Sequence, residues 1–131
     1  MPQTRKLLIV EDEAAMLTTL SEKFKKENLS VFTAVNGEEG FNAALREKPD
    51  LILLDLVMPK MDGMSMMKKL REDKWGHDAK AIFLTNMNDA SLVAEAAKVG
   101  VYDFLVKTDW RLEDVVRVVQ EKLAGIPEEE E

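Results

Sequence analysis

The chain has 131 residues, 46% of them apolar and 33% charged, with a net charge of −7. That is enough chain for one hydrophobic core and too apolar a composition for disorder. The acidity argues against nonspecific nucleic-acid binding. The absence of cysteine excludes disulfides and thiolate metal sites, and the lack of a membrane-length apolar run or signal-peptide pattern points to a cytoplasmic protein.

Two kinds of segment alternate along the chain. KLLIV (Lys6–Val10) is a short apolar run that ends in the acids Glu11, Asp12 and Glu13. The next segment sets Met16, Leu17, Leu20 and Phe24 on one helical face. SVFTAV (Ser30–Val35) reads as a second strand, stopped by Asn36-Gly37, and Phe41, Ala44 and Leu45 then recur at helical spacing. Asn36 and Glu39 are spaced as a capping box, and Lys48-Pro49 ends that helix before LILLD (Leu51–Asp55). After Asp62-Gly63, a third helix is expected with Met64, Met67 and Leu70 on one face. KAIFLTN (Lys80–Asn86) is the fourth apolar run. Asn88 or Asp89 can cap a helix that ends on Gly100, where a left-handed residue is wanted. YDFLVK (Tyr102–Lys107) is the fifth, and Thr108 or Asp109 can cap a last helix burying Leu112, Val115, Val116, Val119 and Leu123.

Strict alternation with short connections, and strands apolar on both faces, predicts a doubly wound five-stranded parallel sheet with five helices covering both faces. Strand order 2-1-3-4-5 is the common one for five strands. One domain is expected over residues 1–126, followed by a solvated acidic tail at 127–131.

In such folds ligands bind at the carboxyl ends of the strands, beside the switch in strand order. The first strand ends in Glu11 and Asp12, the third in Asp55, the fourth in Thr85 and the fifth in Lys107. The expected order gathers these side chains in one crevice. Crowded carboxylates repel, and a hard divalent cation resolves the repulsion; an all-oxygen donor set suits Mg²⁺. A cation, an ammonium and a hydroxyl around one carboxylate are what phosphoryl transfer to that carboxylate requires, with Asp55 as nucleophile. Each residue also has an ordinary explanation: a solvated lysine, a capping threonine, acids favouring a helix N-terminus. Their joint occurrence at the ends of neighbouring strands is what points to a site.

These residues resemble the response-regulator receiver domain of two-component signalling over roughly Lys6 to Leu123. The resemblance is carried by LLIVEDE, DLILLDLVMPKMDG, IFLT and VGVYDFLVK in order and spacing. It implies that Asp55 accepts a phosphoryl group from a sensor histidine kinase or phosphotransfer protein. It also implies that Mg²⁺ is held by Glu11, Asp12, Asp55 and the backbone carbonyl of Val57. Lys107 matches the phosphate-binding lysine, Thr85 the switch hydroxyl and Phe104 the aromatic switch position. Phosphorylation would then remodel the surface of the fourth helix, fifth strand and last helix, altering partner binding or pairing of two copies. The implied catalysis is confined to the domain's own phosphorylation and slow autodephosphorylation, with no direct nucleic-acid or membrane partner. The chain reads either as a stand-alone regulator or as a receiver excised from a larger protein.

Several positions depart from the family pattern. Glu11 replaces the commoner aspartate, Asn86 a small residue, and Phe104 the common tyrosine. Thr108 follows Lys107 where a cis proline is usual; a non-proline cis bond costs about 3–4 kcal/mol, so a trans or strained loop is expected. Val57 and Met87 flank water's approach and neither can orient it, which implies slow autodephosphorylation. Other readings fit less well. A haloacid-dehalogenase-type phosphatase needs a second aspartate where Val57 stands. A flavodoxin-like protein needs a Ser, Thr or Gly phosphate loop where the chain has EDEAAM. A receiver-like interaction module without phosphorylation would have no use for the full acid, threonine and lysine set. His77 reads as a solvated loop residue, the methionines around the third helix as core or as an adaptable surface, and Trp110 as a partner contact or loop packing.

Overall fold

The computed structural model describes residues 4–86, 90–107 and 111–127. Five strands, β1 (Lys6–Val10), β2 (Ser30–Ala34), β3 (Leu51–Asp55), β4 (Ala81–Thr85) and β5 (Asp103–Val106), alternate with five helices. These are α1 (Ala14–Lys26), α2 (Gly37–Glu47), α3 (Gly63–Arg71), α4 (Ala90–Lys98) and α5 (Leu112–Ala124). All strand pairs are parallel, in the order 2-1-3-4-5. A 3₁₀ turn at Gly76–Asp78, which carries no apolar periodicity, is the one element the sequence pattern does not announce.

The sheet separates two apolar layers. On one face Leu7, Ile9, Leu51, Leu53, Ile82 and Leu84 meet Leu20 and Phe24 of α1 and Val115, Val116, Val119 and Leu123 of α5. On the other, Leu8, Val10, Ile52, Leu54 and Phe83 meet Ala43 and Ala44 of α2, the α3 methionines and Ala96 of α4. Every residue of β3 and β4 is buried, as central strands covered on both sides require. The choice left open for the methionines resolves to core: Met58, Met64, Met66 and Met67 are buried, and Met61 packs half-buried against them.

Local chemistry explains where the helices begin and end. Asn36 accepts the Glu39 N–H at 2.8 Å, one half of the expected capping box, while the Glu39 carboxylate turns to the N–H of Val35 at 3.5 Å instead of Asn36. Asp62 caps α3 through the Ser65 N–H at 2.7 Å. Gly100 takes the left-handed conformation expected of it, with φ of +72°. At α5 the cap position is Arg111, not Thr108 or Asp109; Asp114 accepts its backbone N–H at 3.1 Å, holding the turn from within the helix. The expected caps Asn88 and Asp89 of α4, and the structure of Thr108, Met87 and Trp110, lie outside the described residues.

Candidate functional site

The sheet register sets Val10 beside Leu54 and Asp55 beside Leu84, so Glu11, Asp55 and Thr85 emerge at one edge of three adjacent strands. The chain at Lys107, one residue past β5, is held there by its N–H, which donates to the Thr85 carbonyl at 2.6 Å. Strand order thereby brings together residues up to 96 positions apart in sequence.

Asp55 is 5% exposed, Thr85 4% and Glu11 0%, while Asp12 faces solvent. The Lys107 ammonium lies 2.8 Å from Asp55 Oδ2 and 3.1 and 3.0 Å from the two Glu11 oxygens. Asp55 Oδ1 accepts the N–H of Val57 at 3.2 Å. Glu11 Oε1 also accepts the Glu13 N–H at 3.2 Å. Glu11 Oε2, although close to the ammonium, is buried and not aligned for a hydrogen bond with any described donor. Glu11 therefore does not serve as a helix cap; its longer side chain folds into the site against Lys107.

Burial and the charge of Asp55 raise the Glu11 carboxyl to about 7, against the opposing pull of Lys107 and the Glu13 N–H. For Lys107, burial acts to lower the ammonium pKa, but the hydrogen bonds and charges of Asp55 and Glu11 outweigh it and hold the group above its ordinary value. Because folding raises the Glu11 pKa from 4.5 to about 7, the native state binds the extra proton between those values. The contribution of Glu11 is thus present below its unfolded pKa and is lost as pH rises through about 7. Metal-free protein should therefore unfold at lower urea concentration at pH 8 than at pH 6, and Glu11→Gln should flatten that difference. An unchanged slope in the variant would contradict the assignment.

Glu11, Asp12 and Asp55 each offer a carboxylate oxygen, and these lie within 4.8 Å of one another. The donor set is all oxygen, the buried Oε2 of Glu11 has no aligned hydrogen-bond donor among the described residues, and Asp12 lies open to solvent as an entry point. That combination fits a small, hard divalent cation that keeps part of its water shell. Val57 sits beside the site, 75% exposed, with its N–H committed to Asp55. Phe104 is half-buried on Phe83, ring centroids 5.9 Å apart, whereas Tyr102 is 73% exposed. The direct Glu11–Lys107 contact and the Val57 N–H bond are not visible in residue spacing; the extra methylene of Glu11 was the only sequence signal for the first.

The family model of the response regulator receiver domain matches residues 7–120. The chain is 30% identical over 102 residues to sporulation initiation phosphotransferase F of Bacillus subtilis, covering 78% of this chain and 81% of that protein. It is 43% identical over 70 residues to the alkaline phosphatase synthesis transcriptional regulatory protein PhoP of the same organism, covering 53% of this chain and 29% of that protein. The chain spans less than half the length of several curated relatives it matches. Among solved structures, the CheX–CheY–BeF₃–Mg²⁺ complex of Borrelia burgdorferi superposes with a TM-score of 0.80 at 27% identity, covering 89% of this chain and 87% of that one.

Proposed function

The chain belongs to the response regulator receiver domain family of two-component signalling, and from that premise we propose that Asp55 is its phosphoacceptor. The donor is a phosphohistidine on a sensor histidine kinase or phosphotransfer protein. The observation that carries the reading is Asp55 at the tip of the central strand, almost buried, with an ammonium 2.8 Å away and two further carboxylates beside it. In the transfer, an Asp55 oxygen forms the new P–O bond as the P–N bond to the donor imidazole breaks, the leaving nitrogen keeping the electron pair. Lys107 offsets charge on the phosphoryl oxygens, and the Thr85 hydroxyl, at the tip of the neighbouring strand, donates to one of them.

Glu11, Asp12, Asp55 and the Val57 carbonyl would hold Mg²⁺, which when bound supplies further neutralisation of phosphoryl charge. The Borrelia complex named above contains both Mg²⁺ and the phosphoryl analogue BeF₃, which supports the same pairing of ligands here. The new dianion biases Thr85 and Phe104, and the surface of α4, β5 and α5 carries the result to a protein partner or to a second copy. Exposed Val93 and Tyr102 on that surface are suited to such a contact. The chain's own chemistry is limited to its phosphorylation and a slow hydrolysis. No helix among the described residues is long and apolar enough to cross a membrane, and a chain without cysteine suits the cytosol.

Incubation with acetyl phosphate and Mg²⁺ followed by intact mass measurement should yield one phosphoryl adduct, absent in Asp55→Asn. A folded protein that takes no adduct from either acetyl phosphate or a kinase donor would instead be an inert module. The adduct should decay slowly, because Val57 offers no group to orient water. Val57→Asn should speed its loss by about tenfold. A parent that hydrolyses faster than variants with polar residues at 57 and 87 would contradict this.

A further inference from the structure

Arg71, the last residue of α3, uses its guanidinium to join three segments of chain. Its Nε donates to the Val99 carbonyl at 2.7 Å, and its Nη1 donates to the carbonyls of Gly76 and Ala79 at 2.8 and 2.7 Å. Val99 follows the last residue of α4, so this arginine caps the C-terminal end of a helix from outside it. The cap completes a hydrogen-bonded turn in which the N–H of Val101 reaches back to the Ala96 carbonyl at 3.0 Å and that of Gly100 to Ala97 at 3.0 Å. The left-handed Gly100 lies against the same guanidinium: a Cβ there would sit 3.6 Å from Arg71 Nη2.

The two ends of α4 are held very differently. At the C-terminal end Ala96, Val99 and Val101 are buried. Toward the N-terminal end Ala90, Ser91, Val93, Ala94 and Glu95 are exposed, and among the described residues there Leu92 is the one that packs half-buried on the core. An ion pair there, Lys68 with Glu95 at 3.7 Å, joins two exposed side chains and contributes little. The guanidinium thus ties the carbonyl at the end of α4 to the Gly76 and Ala79 carbonyls of the α3–β4 connection. A helix with firm packing and this tie at one end, and sparser packing at the other, responds to a push by turning about the tied end.

We propose that Arg71 pins the C-terminal end of α4 to α3, so that when Asp55 is phosphorylated α4 moves at its N-terminal end, the end that follows Thr85 in the chain. This rests on the switching function proposed above. It makes Arg71 a positioning residue that touches neither phosphate nor metal but decides which part of the output surface changes.

Amide hydrogen exchange, with and without beryllofluoride and Mg²⁺, tests it on parent, Arg71→Lys and Arg71→Gln. Lysine keeps the charge but cannot reach three carbonyls in a planar fork; glutamine serves if lysine perturbs folding. In the parent, beryllofluoride should alter exchange in Ala90–Val93 and leave Val99–Val101 unchanged. Either variant should exchange Val99, Gly100 and Val101 at least about tenfold faster, and beryllofluoride should then alter the whole helix. Phosphorylation by acetyl phosphate should stay close to the parent's. Unchanged protection at Val99–Val101 in both variants, or a parent response spread evenly along α4, would overturn the proposal. A parent that phosphorylates at Asp55 but whose α4 does not respond overturns the lever and leaves the phosphoacceptor standing. Failure of the parent to accept a phosphoryl group at Asp55 overturns both.

Discussion

Replacing Lys107 by methionine should slow phosphorylation of Asp55 by about 100-fold or more and destabilise the protein most at alkaline pH. Lys107 is the cation that touches both buried carboxylates among the described residues, and its side chain is only 8% exposed. Removing one partner of a buried pair leaves uncompensated charge, at a cost of about 3–5 kcal/mol. Glu11 provides an escape, because its carboxyl already titrates near 7 and can take up a proton when the ammonium is gone. The loss should therefore be large in urea unfolding at pH 8 and much smaller at pH 6, while the phosphorylation defect persists at both. A variant as stable as the parent at pH 8 would show that the lysine does not balance these acids.

Gly63→Ala should cost about 3 kcal/mol and impair phosphoryl acceptance, although it places a better helix former at the start of α3. Helix propensity alone favours alanine by about 1 kcal/mol. Against this, a Cβ at Gly63 would lie 2.4 Å from the Asp55 carbonyl oxygen and 3.1 Å from the Leu56 Cα. Both are backbone atoms, so relief requires moving the chain that carries Asp55. Gly63 also donates its N–H to the Leu56 carbonyl at 3.0 Å, which fixes how closely α3 approaches the tip of β3. Thermal or urea unfolding gives the stability change, and the rate of adduct formation with acetyl phosphate gives the functional one. A stable variant with parental rates would mean that the loop can shift without disturbing Asp55.

Much of this arrangement was legible in the residues. Unbroken apolar runs such as LILL specify strands buried on both faces, and the period of Leu20–Phe24 and of Val115–Val119–Leu123 specifies the helices that cover them. Strict alternation implies a doubly wound sheet, and the common 2-1-3-4-5 order then places the polar residue ending each of four neighbouring strands in one crevice. What spacing could not carry was side-chain direction. Glu11 looks like one of three acids favouring a helix start, yet it turns into the site, and α1 begins with Glu13 at a cap position that makes no side-chain bond. Asp62-Gly63 looks like a turn that needs glycine's backbone freedom, yet φ at Gly63 is not positive; glycine is required there by the close approach to Asp55. Arg71 looks like an ordinary basic residue at a helix end; two of its carbonyl partners, Gly76 and Ala79, lie in the irregular connection that follows, and the third, Val99, is 28 residues away and brought near only by the tertiary fold. The cap of α5 was missed because Asp114 satisfies it from inside the helix, a bond that leaves no signal at the expected position before it.

The central claim is that Asp55 itself carries the phosphoryl group. An aspartyl phosphate is an acyl phosphate and is reduced by borohydride, which converts the aspartate to homoserine. Protein treated with acetyl phosphate and Mg²⁺, trapped with borohydride and mapped by peptide mass spectrometry should contain homoserine at position 55 alone. An adduct that yields homoserine at Asp12 or elsewhere, or that resists borohydride altogether, would contradict the account.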